Sequence, residues 1–175
     1  AVFSHPEFRA HEQVVFAHDA AAGLCAIIAF FDKAWPIRWR LPHVAYLTDD
    51  EALTDALRLS RGMTYKAALA GLDFGGGKAV ITGDSRRNKT PDMLRALGRA
   101  VDRLGGRYIV AEDVGTTLQD MDIVAEATRH VAGTSGGSGV GSLVPERMRS
   151  AVPGFTRYAV CATAALASSA AAEWA

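Results

Sequence analysis

The stretch G-M-T-Y-K-A-A-L-A-G-L-D-F-G-G-G-K-A-V-I, residues 62–81, passes from one kind of periodicity to another. Just upstream, Thr48 and Glu51 have the spacing of a capping box, and Ala52, Leu53, Ala56, Leu57 and Ser60 recur as one helical face. This predicts a helix from Thr48 to about Ala70, with Gly62 inside it at some cost in propensity. Gly75-Gly76-Gly77 then breaks the chain before Ala79-Val80-Ile81, a short buried strand. Lys66 is thereby placed near the end of a helix, and Lys78 at the mouth of a strand. Glycines there let the backbone pass close to a ligand. Two ammonium groups converging on one cleft would attract a carboxylate, and their repulsion would favour a neutral form for the less solvated one. A lysine held near neutrality can act as a general base. The plainer reading of the same residues is one solvated lysine on a helix and another on a loop.

Outward from this stretch, strands and helices alternate. Val14 to Phe16 and Leu24 to Phe30 read as two strands joined by the turn Asp19-Ala20-Ala21-Ala22-Gly23. Thr90 and Pro91 open a helix with Met93, Leu94, Leu97 and Val101 on its inner side, which Gly105-Gly106 ends. Tyr108-Ile109-Val110 is the next strand. Thr116 and Gln119 have the spacing of a cap for a helix through Met121, Val124 and Ala125. The order predicts an α/β domain, a mixed sheet flanked by helices. Ala34 to Tyr46, A-W-P-I-R-W-R-L-P-H-V-A-Y, fits neither helix nor strand periodicity. Residues 1–139 form the expected domain, and residues 140–175 an irregular, alanine-rich tail.

Composition narrows the function. At 175 residues and 49% hydrophobic, the chain is able to bury a core and is too apolar to be disordered. Nineteen basic residues balance nineteen acidic ones, which argues against a nucleic-acid binder. Cys25 and Cys161 allow neither a disulfide framework nor a four-cysteine zinc site. No apolar run reaches membrane-spanning length, and Ala1 to Glu12 does not read as a secretory signal, so a cytoplasmic location is expected. His5, His11, His18, His43 and His130 show no metal-ligand spacing and read as surface or packed residues.

Two phosphate-binding patterns fail. A phosphate loop needs Gly six positions before the lysine and Ser or Thr after it, where this chain has Leu72 and Ala79. The glycines between Gly133 and Gly141 contain no G-x-G-x-x-G and read as a linker. Asp113, in A-E-D-V-G-T-T, is more promising, because ligand groups gather at the carboxyl ends of strands in α/β sheets. Beside Lys78 it could pass a proton. Its alternative role is to help Thr116 cap the next helix.

Met63-Thr64-Tyr65-Lys66, then Leu72-Asp73-Phe74-Gly75-Gly76-Gly77-Lys78, then Glu112-Asp113-Val114-Gly115-Thr116-Thr117 resemble the N-terminal domain of the Glu/Leu/Phe/Val dehydrogenases, within their leucine, phenylalanine and valine branch. The resemblance runs from about Ala10 to Gly139, Ala34 to Tyr46 excepted. It implies NAD-dependent oxidative deamination of an L-amino acid to a 2-oxo acid and ammonia, and a homo-oligomer. By resemblance Lys66 binds the substrate carboxylate, with Met63 and Gly75, Gly76 and Gly77 beside it. Lys78 is the base on the water that attacks the imino intermediate, and Asp113 shuttles protons next to it.

The sequence departs from that family in two places. The cofactor-binding Rossmann half is missing, so the chain is expected to supply only the substrate half and to lack turnover alone. Family members also carry a loop of the type G-P-x-x-G-G-C-R where this chain has W-P-I-R-W-R-L-P. GC-rich codons for Ala34 to Tyr46, read one nucleotide later, can give P-G-P-S-A-G-G-C-R-M-W-P. The same shift from Val140 can give D-P-S-S-P-N-A-C-G-L, close to the family's approach to its cofactor domain. A frameshifted gene is therefore one alternative, and a non-catalytic carboxylate-binding domain is another.

Overall fold

The computed structural model describes residues 4–31, 37–41, 43–44, 48–69 and 75–136. All lie in one compact unit, Ala1–Gly137. The alanine-rich tail, the linker glycines beyond Gly136, and Leu72-Asp73-Phe74 fall outside the described residues.

A short 3-10 helix, Pro6–Ala10, leads into β1 (Gln13–Asp19) and β2 (Leu24–Phe30), paired antiparallel from Gln13↔Phe30 to Asp19↔Leu24. Their turn forms as its residues predict: Asp19 Oδ1 accepts the Ala22 N–H at 3.1 Å, and Gly23 takes φ +69°. β3 (Ile37–Leu41) and β4 (His43–Val44) follow, then α1 (Asp49–Leu69) and β5 (Gly75–Thr82). The second half holds α2 (Pro91–Asp102), β6 (Tyr108–Glu112), α3 (Leu118–Ala125) and β7 (Val131–Ala132). These strands form one mixed sheet in the order β1-β2-β5-β3-β6-β7, with β4 also on β5. β2 meets β5 antiparallel, whereas β3 is parallel to both β5 and β6.

Helix α1 starts where its capping chemistry places it. Thr48 Oγ1 accepts the Glu51 N–H and Glu51 Oε2 accepts the Thr48 N–H, both at 3.2 Å. Its apolar face buries Ala52, Leu53, Ala56 and Leu57 against Ile27, Ala29 and Val80 of the sheet. Burying a leucine such as Leu57 is worth about 2 kcal/mol, so this face anchors the helix. On the opposite face, Ile28, Ala79 and Ile81 are buried, as are Met93, Leu94, Leu97 and Val101 of α2.

Three expectations need correction. Ala34 to Tyr46 does contain strands: β3 lies between β5 and β6, in register Ile37↔Tyr108 through Leu41↔Glu112. A strand inside a sheet is fixed by two neighbours and needs no alternation of its own to be recognised by them. The triple glycine is no break, since it opens β5 and places Lys78 inside the strand. Finally, Thr117 caps α3, not Thr116: Thr117 Oγ1 accepts the Asp120 N–H at 3.2 Å and Asp120 Oδ2 accepts the Thr117 N–H at 2.8 Å. T-x-x-D serves as well as T-x-x-E or T-x-x-Q when it lies one residue further along.

Candidate active site

Alternate residues of a strand share a face. A Cβ added at Gly76 would run into Thr64 and the Ser60 carbonyl of α1, and Val80 packs in the α1 core. Gly76, Lys78 and Val80 therefore face α1, while Gly75 and Gly77 turn the other way. The space at Gly76 is taken up by the helix, so the close approach of α1 and β5 requires glycine there. Any contact of substrate with Gly75 or Gly77 would be through their backbone.

Lys78 and Asp113 meet. Lys78 is buried, at 5% side-chain exposure, and its Nζ donates to Asp113 Oδ2, with Asp113 at 13%. Lys78 comes from the middle of β5 and Asp113 from the loop after β6, with β3 between the two strands. Asp113 Oδ1 also accepts the Val114 N–H at 2.8 Å, which fixes the plane of the carboxylate. Thr116 does not cap a helix here. Its hydroxyl accepts the Asp113 N–H and donates to the Asp113 carbonyl, each at 2.9 Å, closing the turn that carries the acid. Gly115 sits at φ +82° inside this turn, a conformation glycine takes without strain.

Lys66 lies in the last turn of α1, half-buried, two residues beyond the Thr64 that abuts Gly76. Among the described residues its ammonium makes no ion pair or hydrogen bond. Met63 is 5% exposed, on the α1 face that packs on the sheet. Burial pushes the Tyr108 phenol well above its ordinary range and the Asp113 charge adds to this, so Tyr108 stays neutral.

Sequence reasoning missed Lys89, which supports this arrangement, and left His11 as a surface or packed residue. Lys89 Nζ donates to Asp120 Oδ2 at 2.6 Å and to the Gly115 carbonyl at 3.0 Å. No local pattern around Lys89 foretells this, because its partners lie more than twenty residues away. His11 is buried, with Nε2 at 2.8 Å from the Leu57 carbonyl and 2.9 Å from Ser60 Oγ. Only a protonated Nε2 can donate to a carbonyl, so the ring carries its hydrogen there. Burial holds the His11 imidazole below its usual pKa.

The match to known proteins is specific. The dimerisation-domain model of the Glu/Leu/Phe/Val dehydrogenases matches residues 44–130. Leucine dehydrogenase of Thermoactinomyces intermedius is 50% identical over 135 residues, 77% of this chain and 37% of that protein. Valine dehydrogenase of Streptomyces virginiae is 49% identical over 144 residues, covering 80% and 40%. The chain belongs to the Glu/Leu/Phe/Val dehydrogenase family. Among solved structures, L-tryptophan dehydrogenase from Nostoc punctiforme superposes with a TM-score of 0.71 at 45% identity over 75% of this chain and 39% of that one. A glutamate dehydrogenase from Thermus thermophilus, at 19% identity and TM-score 0.62, shares the fold. The chain thus spans about two-fifths of the length of these relatives.

Among the described residues nothing fits a dinucleotide. Such a cofactor needs a glycine-rich turn opening a helix, whose N-terminus receives the pyrophosphate. Here the glycine run is the start of β5, and α1 occupies the space over Gly76. No helix among the described residues is long and apolar enough to cross a membrane.

Proposed function

We propose that this chain supplies the substrate half of an amino-acid dehydrogenase, one that deaminates an L-amino acid of the leucine, valine or phenylalanine type to its 2-oxo acid and ammonia. NAD enters this reading through the family alone. The observation that carries the proposal is the buried Lys78–Asp113 pair, with the ammonium of Lys66 on the adjoining helix.

The division of labour follows from their surroundings. Lys66, half-buried and without an acidic partner among the described residues, is available to a substrate carboxylate. Lys78 is opposed in its charge by burial and supported in it by Asp113, a balance that lets a proton move at Nζ. In the deamination a water adds to the imino carbon, Lys78 takes its proton, and Asp113 accepts or returns one through their hydrogen bond. Met63, buried beside Lys66 on α1, borders the substrate's side chain in this proposal.

Homo-oligomer formation is part of the same reading. β1 is paired on one side only among the described residues, and its Phe16 is 58% exposed. An open strand edge with an exposed aromatic favours a second protein surface over water.

Calorimetry with 4-methyl-2-oxopentanoate tests the site. Binding by the chain, weakened tenfold or more in Lys66→Ala, supports it; equal binding by the variant would sink the anchor role. NADH formation by the chain alone would overturn the restriction to a substrate half. The half-buried Lys66 ammonium, without an acidic partner among the described residues, also suits a second reading, a carboxylate-binding domain without turnover. Failure of a separately supplied cofactor domain to restore deamination would select it.

A further inference from the structure

We propose that Lys89 is a positioning residue that holds the Asp113 turn, and through it the Asp113 carboxylate, against Lys78. The proposal rests on the assignment of Lys78 and Asp113 as the proton-transfer pair, and it adds a residue that touches neither substrate nor reacting atoms.

The geometry points to Lys89 in three ways. It leaves the connection after β5, the strand that also carries Lys78, and reaches across to the loop after β6. Among the described residues the Asp113 turn is therefore tied to the β5 side directly through Lys78 and again through Lys89. Second, the two acceptors of Lys89 lie within the turn and just beyond it. The Gly115 carbonyl lies two residues after Asp113, and Asp120 holds the capping box that starts α3. Displacing Lys89 would remove one restraint at the centre of the turn and another beyond its exit. Third, the Lys89–Asp120 pair is largely shielded from solvent, with side-chain exposures of 20% and 12%. Shielded charge pairs hold their geometry, whereas exposed ones contribute little.

The choice of lysine fits the task. The chain has only four lysines, Lys33, Lys66, Lys78 and Lys89, among nineteen basic residues. A compact ammonium can donate to two acceptors in different directions, here a carbonyl and a carboxylate. A planar guanidinium would present its donors in one plane.

Four lysines also make the test tractable. The chain, with lysine carrying carbon-13 at Cε, is titrated by NMR, and the Lys78 signal is assigned by its loss in Lys78→Arg. In Lys89→Met the Lys78 midpoint is expected to move to lower pH by about half a unit or more, because the carboxylate favouring its charge is no longer held in place. Lys89→Arg is expected to restore part of that shift. If Lys89→Met does not fold, Asp120→Asn serves, since it keeps a capping side chain and removes the charge that holds Lys89. A Lys78 midpoint unchanged in the folded variant would overturn the proposal, even if the melting temperature fell, because that result leaves Lys89 only a structural part. Loss of 2-oxo acid binding by the unmutated chain would instead defeat the assigned function and leave this coupling measurable.

Discussion

At Lys78 and Asp113 two opposite charges share a nearly dry environment, and each is tolerable because the other is present. Removing one takes away the opposite charge beside the other in a shielded place, a change that costs about 3 kcal/mol or more in comparable pairs. Urea unfolding of Lys78→Met and of Asp113→Asn is expected to show destabilisation of that order. The doubly substituted chain should lose less than the two losses added together. Additive losses would mean the pair does not interact in solution. His11 gives a second prediction. Its neutral ring stacks on Phe8 and meets Phe31 edge-on, with Glu7 of the short helix and Arg58 and Arg61 of α1 the charged groups around it. Burial is the main reason its pKa is lowered, Arg61 adds to this, and the Leu57 carbonyl and Glu7 partly offset it. The unfolded chain then binds more protons than the folded one once the pH drops below the usual histidine value of about 6.5. Stability is complete above that point and falls with acid, by at most about 1.4 kcal/mol per pH unit, until the folded pKa is passed. Melting curves between pH 7.5 and 5 should show this slope, and His11→Gln should flatten it.

Between elements, the contact that sets the site is that of α1 with β5. Gly76 lets the two backbones come close enough for Thr64 and Ser60 to fill its side-chain position. Gly76→Ala places a methyl against helix backbone, where no rotamer change can give way. A loss of about 2–3 kcal/mol is expected in chemical denaturation. Because α1 carries Lys66 and β5 carries Lys78, the variant should also weaken 2-oxo acid binding in whatever fraction stays folded. Full stability in Gly76→Ala would show that the helix stands further from the strand than described.

For the whole molecule, the β1 edge, unpaired among the described residues, and the match to a dimerisation domain bear on one another. Phe16→Glu should leave the circular dichroism unchanged and reduce the mass found by light scattering to that of a single chain. A mass unaffected by the substitution would place the interface elsewhere. Much of this architecture was legible in the residues themselves. The Asp19–Gly23 turn, the Thr48–Glu51 box that starts α1 and the Thr90-Pro91 start of α2 are set by chemistry acting within three or four positions, so the order of the residues suffices to find them. The motifs holding Lys66, Lys78 and Asp113 were equally visible. What the order of residues could not convey was distance across the sheet. That β3 slides between β5 and β6, that α1 consumes the space over Gly76, and that Lys89 ties the Asp113 turn all depend on partners twelve or more positions away. Local propensity carries no information about such partners, because their positions are fixed only when the strands pair and the helices pack down on them.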